Sequence, residues 1–107
     1  MNINKTVKDT LKSLGVPVEF QSYSGNQKTH ITFFCYNEFG EVFAENRELV
    51  TGYYVQVDLW SDKDYVVLSE NIKTAMESAG FKRTSSADSF EKEMKIYHKA
   101  MRFKYTK

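Results

Sequence analysis

The chain has 107 residues, 41% of them hydrophobic and 15% aromatic, with a formal charge of +1 and a single cysteine. This length accommodates one domain, residues 1–107, and the apolar content is too high for a disordered chain. No run approaches the roughly 18 apolar residues of a membrane span, and the polar start of the chain carries no signal-peptide core. A lone Cys35 excludes an intramolecular disulfide framework and fits a reducing cytoplasm, while the near-neutral charge argues against a general nucleic-acid binder.

Residues 1–14 read as a short helix with Ile3, Val7, Leu11 and Leu14 on one stripe, ended by Gly15 and blocked from continuing by Pro17. Val18 to Tyr23 follow as a strand, and Ser24-Gly25-Asn26 as a turn. His30 to Tyr36 form a second strand. Its alternation sets Ile31, Phe33 and Cys35 against His30, Thr32, Phe34 and Tyr36. Asn37 to Glu48 has only Val42 and Phe43 as apolar anchors. It reads as a long connection without regular structure, mobile in the free chain and ordered only on assembly.

The clearest element comes next. Thr51 to Trp60 alternate, with Tyr53, Val55, Val57 and Leu59 facing one way and Tyr54, Gln56, Asp58 and Trp60 the other. Ser61 would then cap a helix with Asp62 and Asp64 in its first turn. Tyr65, Leu68, Ile72, Ala75, Met76 and Ala79 recur at helical spacing, and Gly80 occupies a left-handed stop. Phe81 to Thr84 begins another strand, with a turn or bulge at Ser85-Ser86 and a resumption over Ser89 to Lys92. A tight turn at Glu93-Met94-Lys95 leads to a final strand from Ile96 to Tyr105, with Tyr97, Met101, Phe103 and Tyr105 on one face. The order α-β-β-β-α-β-β predicts an α+β fold: one mostly antiparallel sheet of four to five strands with two helices on one face. The other face would expose Tyr54, Trp60 and neighbours, and a polar-aromatic patch of that kind predicts self-association.

Residues with catalytic potential are few. His30 and Cys35 lie five apart on one strand, so the pleat points them to opposite faces and no thiol–imidazole pair forms. Cys35 reads as a small buried residue. His98 has no carboxylate beside it by local spacing. Asp58, Asp62 and Asp64 lack the spacing and glycine of a calcium loop, and no phosphate loop, dinucleotide fingerprint, nucleophile elbow or zinc pattern occurs. No catalytic residue, cofactor or metal is therefore expected. Lys99, Arg102 and Lys104 lie among Tyr97, Phe103 and Tyr105 on the last strand. Cations on one side and rings on the other make an ordinary amphipathic strand rather than a base-stacking platform.

Three segments carry a resemblance: Tyr53 to Ser61, Ala79 to Arg83 (AGFKR) and Ile96 to Phe103 (IYHKAMRF). In order and spacing they resemble small tail-completion proteins of long-tailed phages and prophages, the tail-terminator or head-to-tail joining proteins, over residues 30 to 107. The resemblance implies a structural virion protein with no catalytic residues, an α+β subunit forming a ring, commonly a hexamer, at the head-proximal end of the tail. Its implied partners are further copies of itself, the tail-tube protein and the head connector or completion protein. Its implied place is the virion tail, after assembly in the host cytoplasm, with neither membrane nor sequence-specific nucleic acid as a partner. A head-completion or connector protein is the alternative, and a small enzyme or nucleic-acid-binding regulator a more distant one.

The charge distribution suggests how copies would meet. Glu38 to Glu48 carries four acids against Arg47, whereas Glu91 to Lys107 carries six basic residues against two acids. Glu41, Glu45 and Glu48 of one subunit are expected to face Lys99, Arg102 and Lys104 of the next, with Tyr54 and Trp60 contributing from the uncovered sheet.

Overall fold

Alternation in the central strand sets the architecture. In the computed structural model, which describes residues 1–107, this strand is 15 residues long and lies in the middle of a five-stranded sheet. The elements are α1 (Ile3–Leu11), a 3-10 turn (Lys12–Leu14), β1 (Val18–Phe20), β2 (His30–Ala44), β3 (Arg47–Ser61), α2 (Val66–Ser78), β4 (Lys82–Glu91) and β5 (Ile96–Thr106). The sheet order is β1-β2-β3-β5-β4; only β1 pairs in parallel, with β2. The expected α+β architecture and element order are those of the protein.

Tyr53, Val55, Val57 and Leu59 are buried on the helix-covered face, where they meet Ile31 and Phe33 of β2 and Met101 and Phe103 of β5. Each such side chain removed from water contributes roughly 1.5–3 kcal/mol. The helices supply the lid. Ile3, Val7 and Leu11 of α1 recur at helical spacing and are buried, as are Ile72 and Met76 of α2. The Asn2 side chain caps α1 by accepting from the Lys5 amide at 3.0 Å. Gly80, at φ +99°, ends α2 with its amide donating to the Glu77 carbonyl and that of Phe81 to Met76, a Schellman closure.

Three local expectations are corrected. The ladder with β5 runs to the pair Ser61–Tyr97, so Ser61 stays extended rather than capping α2. Its buried hydroxyl shares a hydrogen bond with Thr29 and accepts from the Lys63 amide. Helix α2 starts four residues later, where Asp64 accepts from the Val66 amide, and neither Asp62 nor Asp64 lies in its first turn. Cys35 is half-buried against the core rather than fully buried. The largest correction concerns residues 37–48, which are β-ladder. β2 and β3 continue as a hairpin to a two-residue turn at Glu45-Asn46, both with positive φ (53° and 61°), as a type I′ turn requires. β5 reaches only as far as the Gly52–Thr106 pair, with backbone bonds between Thr51 and Lys107. Beyond that, the hairpin projects as a two-stranded arm. The molecule is correspondingly long, 52 × 26 × 23 Å. No helix is long and apolar enough to cross a membrane.

Candidate interaction surface

The sheet face without helices is organised in cross-strand rows. His30, Trp60 and His98 stand directly opposite one another on β2, β3 and β5. The His98 ring lies flat on Trp60, 3.9 Å between centroids and 4° between planes. His30 follows at 6.2 Å, and Tyr23 stacks on His30 at 4.4 Å. Thr32 accepts the indole N–H of Trp60 at 3.1 Å, which fixes the stack in place. Asp58 faces Ala100 across the ladder, and the small side chain there leaves room for its carboxylate to reach diagonally to Nε2 of His98 at 2.7 Å. The Gln56 amide donates to the same Asp58 oxygen at 2.7 Å, and its carbonyl accepts from Nε of Arg102 at 3.1 Å.

Two bulges in β2 build the other end of this face. The first, at Tyr36, reverses the parity of the strand; it brings Tyr36 under the Arg102 guanidinium at 4.5 Å and Phe39 onto the Tyr54 ring at 5.1 Å. The second frees Glu41 to fold over the sheet. Its carboxylate accepts from the Tyr54 hydroxyl at 2.7 Å and pairs with Lys104 at 3.0 Å. Gly52 leaves room beneath it, since a Cβ there would displace that carboxylate. The Tyr54 hydroxyl, then Lys104, holds the Glu41 carboxyl below its ordinary range, and Glu41 in turn raises Lys104.

These contacts redirect the sequence expectations. Tyr54 and Trp60 do lie on the uncovered face, but half-buried within their own chain's network rather than open. Glu41 and Lys104, expected to meet across subunits, meet within one. Arg102 is engaged by Gln56 and Tyr36. Lys99 has the opposite parity: it lies on the helix side, 3.6 Å from Asp88, which also accepts from Tyr65. Glu45 sits in the turn, and Glu48 accepts from the Thr51 hydroxyl; both are exposed. Asp58, Asp62 and Asp64 are not gathered into a metal-ligating group.

Sequence reading missed the His98–Asp58 pair and the arm. No spacing within one strand reveals the pair; only the β3–β5 register brings Asp58 to His98. On the other nitrogen of His98, Nδ1, lies the Ser89 hydroxyl at 3.5 Å, the order used to activate a serine nucleophile. That hydroxyl is equally far from the His98 carbonyl, both contacts are at the limit of a hydrogen bond, and Ser89 lines none of the surface cavities. No buried side-chain polar atom lacks a partner. The network therefore leaves no buried polar atom unpaired and ties β2, β3 and β5 together across this face.

The arm differs in kind. Phe39, Val42, Phe43 and Leu49 are 45%, 47%, 62% and 49% exposed. They lie along the arm, on both of its faces, where neither a helix nor a third strand covers them, and exposed apolar side chains of this kind invite a partner. A scan against protein-family models and a comparison with curated proteins both returned no match.

Proposed function

We propose that the chain is a structural virion protein of a long-tailed phage or prophage, one that completes the tail tube and forms the head-to-tail joining interface as a ring. The resemblance of residues 53–61, 79–83 and 96–103 to tail-completion proteins supports this reading. The structural observation that carries it is the projecting arm, whose large apolar side chains are about half exposed. A stable fold with an uncovered apolar projection suits a protein that works by being joined to others. The partners on this reading are further copies, the tail-tube protein and the head connector, with contacts made by the arm and by the exposed acids Glu45 and Glu48.

Deleting the coding sequence from the phage and imaging the lysate by negative stain tests the reading. Overlong tails or detached full heads are the expected phenotype. Empty heads lacking connectors would move the protein to head completion, and normal virions would overturn a structural role altogether.

A further inference from the structure

We propose that Phe43, at the arm tip of one copy, inserts into a cleft at the opposite end of a second copy, formed by Tyr23, His30, Trp60, Met94 and Ile96. The inference rests on the self-association in the proposed function and specifies its contact. The cleft measures about 200 Å³ and is floored by the stacked rings described above. An apolar cavity of about 150 Å³ holds benzene, so one phenyl ring fits. Ile96 is 3% exposed yet stands apart from the main core, and Met94 on the rim is 67% exposed. The site, which Gln21, Ser22 and Thr32 also line, is thus a partly open cleft with an apolar floor. Phe43 is the most exposed aromatic residue of the chain.

The two features cannot meet within one molecule. His30 lies at the base of the hairpin and Ala44 at its tip, and 14 residues of strand at about 3.3 Å each separate them by roughly 45 Å. The occupant that the chain itself offers is therefore another copy. Charge favours the same partner. On the arm Glu38, Glu45 and Glu48 outnumber Arg47; in the segments that adjoin the cleft, the turn before His30 and the β4–β5 turn, Lys28, Lys92 and Lys95 outnumber Glu91 and Glu93. None of these nine side chains forms an ion pair in its own chain. A contact between two different patches is heterologous, and repetition closes a ring or extends a filament.

The test uses Phe43→Asp to disable the arm and Met94→Asp to disable the cleft. Both positions are exposed, so circular dichroism should show the fold retained. In sedimentation, the wild-type chain is expected to associate and each variant to weaken that association by about 30-fold or more, as for a central interface residue. Mixing the two variants should give dimers and nothing larger, because one intact cleft then meets one intact arm. A photo-reactive phenylalanine analogue at position 43 should cross-link to residues 21–30 or 92–96 of another copy. Association unaffected by either variant, or cross-links to β4 or α2, would overturn this contact and leave the ring reading standing. A wild-type chain that stays monomeric and cross-links only to a different virion protein would also overturn it, in favour of that protein as occupant. The deletion phenotype judges the ring reading separately.

Discussion

The two halves of the β2–β3 hairpin share one ladder and differ in almost everything else. In the lower half Ile31, Phe33, Val55, Val57 and Leu59 are at most 1% exposed, with helices on one face and a stacked, hydrogen-bonded network on the other. In the upper half the same two strands have neither helix nor third strand, and their large apolar side chains are about half in water. Backbone pairing is common to both; burial is not. Because a lone two-stranded hairpin is marginal in water, the ladder gives the arm its shape while the lower half supplies the stability. The arm is then the part whose energetics a partner can change most.

The sharpest way to break this contrast is to truncate one aromatic in each region. Phe103→Ala, beneath the helices, should cost about 3–5 kcal/mol in urea denaturation, whereas Phe43→Ala should stay within about 0.5 kcal/mol. Equal losses would mean that the arm is part of the cooperative core. Next in size is Asp58→Ala. It strips His98 and Gln56 of their shared acceptor in a nearly buried position and should cost about 1–3 kcal/mol by the same measurement. A neutral result would show that the network is ornamental to the sheet.

Turn chemistry sharpens the comparison from the other side. Glu45 occupies a left-handed position that suits asparagine or glycine, so replacing Glu45-Asn46 with Asn-Gly should relieve about 1 kcal/mol of strain. Amide exchange reads this directly. In the native chain the amides of residues 42–50 should exchange well before those of 55–59, and the new turn should slow the first group alone. Uniformly slow exchange in the native chain would contradict a locally weak arm.

The smallest expected effect is pH dependence in the lower half. Burial holds His30 below the ordinary imidazole value of 6.5, against the raising effect of its hydrogen bond to the Gln27 carbonyl. As pH falls through 6.5 the unfolded chain takes up this proton before the folded one does. The associated stability is present above that pH and declines below it until the folded histidine titrates. His30→Phe keeps a ring in the stack and should flatten the decline. Glu41, whose carboxyl is depressed from 4.5, acts in a separate window, its contribution being lost only as the pH falls below that value. An unchanged slope between pH 6.5 and 5 in the His30 variant would assign the decline elsewhere.

How much of this was legible follows from which interactions are local. Alternation at Tyr53–Trp60, the α1 and α2 stripes and the Gly80 stop are written in neighbouring residues, because pleat and helix periods act over a few positions. The arm was hidden for two reasons. Its turn carries Glu-Asn rather than Asn-Gly, and the bulges at Tyr36 and Glu41 break the period that would otherwise have extended β2. The Ser61 cap misled because a local hydroxyl signal lost to a sheet ladder that continues one residue further.

The sequence alone thus determined the element order and which face of the central strand turns toward the helices, since both depend on residues close together in the chain. Tertiary structure alone decided that Asp58 reaches His98, that Glu41 pairs with Lys104 inside one subunit, and where the hairpin runs out of neighbours. Those outcomes depend on register between strands 40 or more residues apart, and one extra residue in a bulge is enough to change them.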